Sequence, residues 1–109
     1  MSDVEACVVV TAAPSQEVAQ TIARAALEAR LAACAHIQAI ASLYWWDGKI
    51  NADTEQLISF KTTAQRYDDL EALIVKLHPY NTPEIIRLPI TQGLPKYLAW
   101  LAKETGPTE

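Results

Sequence analysis

The stretch "SLYWWDGKI", residues 42–50, sets Tyr44, Trp45 and Trp46 in a row, follows them with Asp47-Gly48, and then turns back. An Asp-Gly pair between apolar runs predicts a hairpin turn, because glycine tolerates the positive φ that tight turns require. Neighbouring side chains on a strand point to opposite faces, so Trp45 goes to one face while Tyr44 and Trp46 go to the other. A hairpin with aromatic rings on both faces near its tip needs a cover for each.

Upstream of the turn, residues 34–47 read as one long strand. Its odd positions, Ala35, Ile37, Ala39, Ala41, Leu43 and Trp45, are all apolar, whereas the even positions mix Cys34, His36, Gln38, Ile40, Ser42, Tyr44 and Trp46. The return strand is expected over 49–62, with a bulge or bend at Asn51-Ala52-Asp53. Before the hairpin, "VEACVVVT" (4–11) is apolar on both faces and suits a central strand. Pro14-Ser15 then makes a turn, with Ser15 as N-cap of a helix over 16–31. That helix sets Glu17, Gln20, Thr21, Arg24 and Glu28 opposite Val18, Ile22, Ala26 and Ala29.

After the hairpin, Thr63 is expected to cap a second helix over 64–77, whose apolar stripe is Tyr67, Leu70, Leu73, Ile74 and Leu77. Pro79 ends it, since a residue before proline avoids helical angles. A last strand over 84–90 contains Pro89, which cannot donate to a ladder and so marks a sheet edge. Leu94-Pro95 opens a short third helix to about residue 103. The order β-α-β-β-α-β-α specifies an α+β, ferredoxin-like split βαβ fold with a C-terminal helix appended. It has two layers, with helices on one sheet face and the other face bare. Residues 1–109 form a single domain, with 103–109 expected as a flexible tail.

The length allows roughly 65% of the unfolded chain's surface to be buried. The formal net charge of −4 argues against nucleic acid and against an anionic membrane surface. Cys7 and Cys34 show no CxxC spacing, and the acidic start "MSDVEA" has no charged segment leading into an apolar run. No window approaches the roughly 20 apolar residues of a membrane span. The expectation is a cytoplasmic protein with reduced thiols.

The hairpin faces carry an energetic consequence. One Trp or Tyr ring buries about 150–250 Å², so leaving it wet forgoes roughly 4–6 kcal/mol at about 25 cal/mol per Å². A strand of this length spans roughly 46 Å, farther than helices of about four turns reach. An isolated two-stranded ribbon is marginal in water. The bare sheet face and the protruding hairpin, with Tyr44 and Trp46 at the seam and Trp100 as a further anchor, therefore predict a closed homo-oligomer.

Read in order, "RLAAC", "SLYWWDGKI", "FKT", "HPYNTPEII", "LPI" and "YLAWL" resemble the CutA divalent-cation tolerance proteins, from about Val8 to Leu101. The resemblance implies a tight homotrimer similar in shape to the PII signalling proteins, and a link to tolerance of divalent metals, chiefly copper. It also implies a copper site made of a Cys at the end of the first strand and two adjacent His before "PY". The matching positions are Thr11, Leu77 and His78, so His78 alone keeps a ligand there.

Soft metals take thiolate and imidazole, which leaves Cys34 and His36, two apart on one strand face, as weaker candidates. Each also has a plain structural reading, as a small buried residue and a hydrogen-bonded strand residue, with His78 as a helix-end cap. The proline-stiffened loop "HPYNTPEII" is suited to wall a ligand. By resemblance to PII-like trimers, Trp46, Lys61, His78, Tyr80 and Glu84 are candidates for an intersubunit cleft that holds a divalent cation or a small anionic ligand. Packing of Tyr80 and Pro83 in a seam, with Lys61 and Glu84 as an ion pair, is the alternative. No GxSxG, HExxH or glycine-rich phosphate loop is present and the chain has 3 glycines, which points away from catalysis. The expected function is non-catalytic metal tolerance or metal response. A PII-like small-molecule signalling module and a structural or adaptor trimer are the alternatives.

Overall fold

The computed structural model describes residues 4–106. Its elements are β1 (Ala6–Ala13), α1 (Gln16–Glu28), β2 (Cys34–Trp46), β3 (Lys49–Thr63), a 3-10 turn (Ala64–Arg66), α2 (Tyr67–Leu77), β4 (Ile85–Pro89) and α3 (Pro95–Glu104). The strands form one four-stranded sheet in the order β2-β3-β1-β4, antiparallel at every pairing. This is the expected α+β split βαβ plan. The apolar β1 lies inside the sheet, and β4, which carries Pro89, lies at an edge.

Side-chain alternation selects the core. Cys7, Val9 and Ala13 of β1 and Ile58 and Phe60 of β3 pack against Ile22 and Ala26 of α1 and Leu70 and Ile74 of α2. Ala35 and Ile37 join the same cluster, so the odd face of β2 does turn toward the helices, but only in its first turns of pleat. Ser15 caps α1, its hydroxyl accepting from the Val18 N–H at 3.2 Å. The opposite face is not wholly bare, because α3 crosses its near end. Tyr97 stands beside Cys34, and Leu101 is buried outside the α1–α2 core.

Several local expectations are corrected. α1 stops at Glu28 rather than 31, because Arg30 adopts φ 62 and closes a Schellman turn. Its N–H bonds Leu27 O at 3.0 Å and the Leu31 N–H bonds Ala26 O at 2.9 Å. Thr63 makes no side-chain cap bond, and α2 starts at Tyr67 after the 3-10 turn. No bulge interrupts β3: its pairing with β2 holds one register from Cys34↔Lys61 to Trp46↔Lys49. The polar residues that suggested a break find partners on the ribbon itself. Asn51 Nδ2 donates to the carbonyls of Trp46 (3.0 Å) and Lys49 (3.2 Å), and the Tyr44 hydroxyl donates to Asp53. Of the expected tail, Lys103 and Glu104 belong to α3 and Thr105 is buried, while residues 107–109 lie outside the described residues. Arg66 Nε donates to the Thr105 carbonyl, and Arg30 pairs with Glu104 at 2.6 Å, fastening that helix end.

The unbroken ladder gives the molecule its shape. Its dimensions are 50 × 27 × 20 Å and its radius of gyration is 14.7 Å, against about 13 Å for a compact chain of this length. Leu43, Trp45, Trp46 and Ile50 are 76%, 72%, 66% and 62% exposed. The ribbon therefore projects beyond α1 and α2 with apolar rings uncovered on both faces. Asp47 (φ 54) and Gly48 (φ 75) both take positive φ, the signature of a type I′ turn. A Cβ at Gly48 would meet nothing within 4 Å, so only its backbone angle resists substitution. Gly48→Ala should cost about 1 kcal/mol in a denaturant or thermal melt, and Gly48→Asn distinctly less; an alanine variant as stable as the parent would contradict the turn.

Candidate functional site

The residues expected to form one site divide into three groups. The first is a groove of about 780 Å³ on the open sheet face, between the distal ribbon and the loop after α2. Trp46, Tyr80 and Glu84 line it together with Tyr44, Asp53, Glu55 and Asn81. The extended strands place Tyr44, Trp46, Asp53 and Glu55 on one face by their two-residue period. Pro79 and Pro83 shape the loop that brings Tyr80 and Glu84 opposite. Tyr80 donates its hydroxyl to Glu55 Oε2 at 2.8 Å, and Tyr44 donates to Asp53. Burial, then the Glu55 carboxylate, push the Tyr80 phenol up to about 12. The hydrogen bond to Asp53 likewise raises Tyr44.

Lys61 is not in this groove. It lies at the other end of β3, paired across the ladder with Cys34, and makes no ion pair with Glu84 among the described residues. Its ammonium stands 3.3 Å from His36 Nδ1, and His36 Nε2 stands 3.7 Å from Cys34 Sγ. An ammonium can only donate, so Nδ1 accepts and the imidazole proton sits on Nε2, facing the sulfur. Tyr97 of α3 closes this second group, its phenol raised by burial and then by Cys34. Trp100 packs on Tyr97 at 5.6 Å between ring centroids and stays 40% exposed, a disposition suited to an interface anchor.

The third group is the position matched to a copper site. His78 is 7% exposed, and both its ring nitrogens are engaged. Nδ1 accepts from the Tyr80 N–H at 3.2 Å, so Nε2 carries the proton and donates to the Ala12 carbonyl at 2.7 Å. The ring thus ties the end of α2 to β1 and orients Tyr80. Thr11 is fully buried on the helix-facing side of β1, with its hydroxyl unpartnered among the described residues, and Leu77 has no donor atom. Thr11, Leu77 and His78 do not fit a soft metal ion. Cys7 does not replace them, since burial raises its thiol and disfavours the thiolate that a metal takes. Among the described residues no three His, Cys, Asp or Glu side chains converge on one point.

The family model of CutA1, the divalent ion tolerance protein, matches residues 7–104. The chain belongs to the CutA1 family. The divalent-cation tolerance protein CutA of Thermus thermophilus is 46% identical over 100 residues, covering 91% of this chain and 97% of that one. The structure of CutA from Archaeoglobus fulgidus, described as a periplasmic divalent cation tolerance protein, superposes with a TM-score of 0.91 at 37% identity, over 93% of this chain and 99% of that one. CutA1 from Oryza sativa gives 0.92 at 38% identity, over 96% and 97% of the two chains. The Thermus and Archaeoglobus relatives are named as divalent-cation tolerance proteins. Among the described residues no helix is long and apolar enough to cross a membrane.

Sequence reasoning missed Glu55 and Asp53. The signal was present, since both share the strand face of Tyr44 and Trp46 across the hairpin, but an expected bulge at 51–53 hid the register.

Two outcomes follow from this geometry. A phenol whose folded value lies above its unfolded one holds its proton more tightly when folded. The stability due to Tyr80 is thus complete below about pH 10 and is lost as pH rises toward 12. Ultraviolet titration should show late ionisation, and Tyr80→Phe should remove one late phenol and flatten the alkaline loss of stability. The unpartnered Thr11 hydroxyl costs about 1–3 kcal/mol, so Thr11→Val should raise the melting temperature. A fall would show that the hydroxyl has a partner.

Proposed function

We propose that the chain works as a homotrimeric divalent-cation tolerance or metal-response protein, non-catalytic, with ligand clefts between subunits. The exposed ribbon carries this reading. Trp45, Trp46, Leu43 and Ile50 stand uncovered in the single chain, and Ile86 and Leu88 extend the open face toward β4. Copies of the same chain are the cover that such a surface calls for. The number three and the link to copper are what the resemblance to the CutA proteins implies. A cytoplasmic location accords with the free thiols of Cys7 and Cys34.

Within this reading the soft-metal donors are Cys34 and His36, and His78 is a structural tie. An ion about 2.3 Å from sulfur and about 2.0 Å from nitrogen would see donors 3.7 Å apart at an angle of about 120°. It would replace the proton on Nε2 and turn Lys61 aside, so uptake should strengthen with rising pH. A PII-like sensing role is favoured by one observation, the polar and aromatic groove beside the ribbon.

Titration of the purified protein with copper should give saturable binding that Cys34→Ser and His36→Ala each weaken at least tenfold, about 1.4 kcal/mol, while His78→Ala retains it. Loss in His78→Ala alone would move the site to the end of α2. Trp46→Ala should shift the assembly toward smaller species and lower its melting temperature. An intact assembly with an unchanged melt would remove Trp46 from the seam.

A further inference from the structure

The groove beside the ribbon and the tip of the ribbon carry opposite charge. The groove is lined by Asp53, Glu55 and Glu84 and by no lysine, arginine or histidine. Glu55 is only 8% exposed. Tyr80 donates to its Oε2 at 2.8 Å, but a phenol donor leaves the negative charge in place. Among the described residues no cationic side chain pairs with Glu55, Asp53 or Glu84. A carboxylate so removed from water favours a cation beside it. Lys49 stands exposed at the ribbon tip, and among the described residues it makes no ion pair. It lies opposite Trp46 in the ladder, so its side chain belongs to the open sheet face that carries the groove. The other cations are engaged within the chain, as Arg30, Lys61, Arg66 and Arg87 are, or sit on the helices.

Lys49 does not reach Glu55 of its own chain. The two residues share one strand face, roughly 20 Å apart at about 3.3 Å per residue. We infer that Lys49 of one copy enters the groove of the next and supplies the counter-charge to Glu55, with Asp53 and Glu84 at the rim. The pairing rests on the self-association proposed above and adds to it which two surfaces meet. Tip and groove are different patches of the same chain, so the contact is head-to-tail, and it closes into a ring when each copy gives one tip and receives another. Trp46 belongs to both patches, beside Lys49 at the tip and in the wall of the groove. It is 66% exposed in the single chain, and the same contact removes it from water. The apolar rings supply the drive to associate, and the lysine–carboxylate match fixes which copy's surface lies against which and in what register. The groove that otherwise favours a sensing role is thereby filled from within the assembly.

The test mixes the intact protein with a heavy-isotope copy of itself and follows subunit exchange by native mass, since interface changes act mainly on dissociation. Lys49→Met keeps the length of the side chain and removes its charge, leaving Glu55 buried without a counter-charge. It should speed exchange at least tenfold. Lys49→Arg should stay near the parent rate. Glu55→Gln, which keeps an oxygen for the Tyr80 hydroxyl, should speed exchange less. Lys49→Met combined with Glu55→Gln should exchange more slowly than Lys49→Met alone, because the stranded charge is gone. Two residues this far apart in one chain should act additively, so that non-additivity reports a contact between copies. A parent that proves to be a single subunit overturns the self-association on which the pairing rests. An assembled parent whose Lys49→Met variant exchanges at the parent rate overturns the pairing alone, and so does a strictly additive double variant. A groove occupied by a free cation, or by another segment of the partner copy, would give the first of these two results.

Discussion

The β2–β3 ladder is longer than the helices that pack on it, and the rest of the structure follows from that mismatch. Thirteen residues of β2 run in one register against β3 without a bulge. The core made by α1 and α2 takes up Ala35 and Ile37 and leaves Leu43 and Trp45 of the same strand face in water. On the other face α3 covers only the near end, by Tyr97 and Leu101. Twist and backbone pairing hold such a ribbon in shape, but its rings gain nothing until another surface removes them from water.

The same ladder decides where chemistry can occur. Because β3 has no bulge, its odd residues stay on one face from Asp53 to Lys61. That face separates two environments about eight residues apart along the strand. At the distal end the Tyr–carboxylate pairs make an acidic, aromatic groove, and at the proximal end Lys61, His36, Cys34 and Tyr97 make a soft-donor cluster. His78 links the two layers by donating to β1 and accepting from Tyr80, so the ring that the family resemblance marks as a ligand position here aims a groove wall.

Much of the fold was legible because its signals are local and act one at a time. Ser15 as a cap, Asp47-Gly48 as a turn and Pro89 as an edge marker each express a backbone preference that tertiary packing does not oppose. The misreadings share a different origin. Arg30 occupies a left-handed position usually given to glycine, so nothing at residue 30 announces the end of α1. Asn51 and Asp53 look like breakers until Trp46 O, Lys49 O and the Tyr44 hydroxyl are brought opposite them. The site was legible in its members more than in its grouping. Trp46, Tyr80 and Glu84 do meet, but Lys61 is eight pairs of the ladder away from Asp53 and Glu55 is buried between them, which only the register reveals.

The central claim is that copies of this chain keep the ribbon dry, and the mass of the native assembly at micromolar concentration tests it most directly. The account predicts about three times the 12.0 kDa of one chain, with no free subunit. A stable, folded single subunit at that concentration would contradict it.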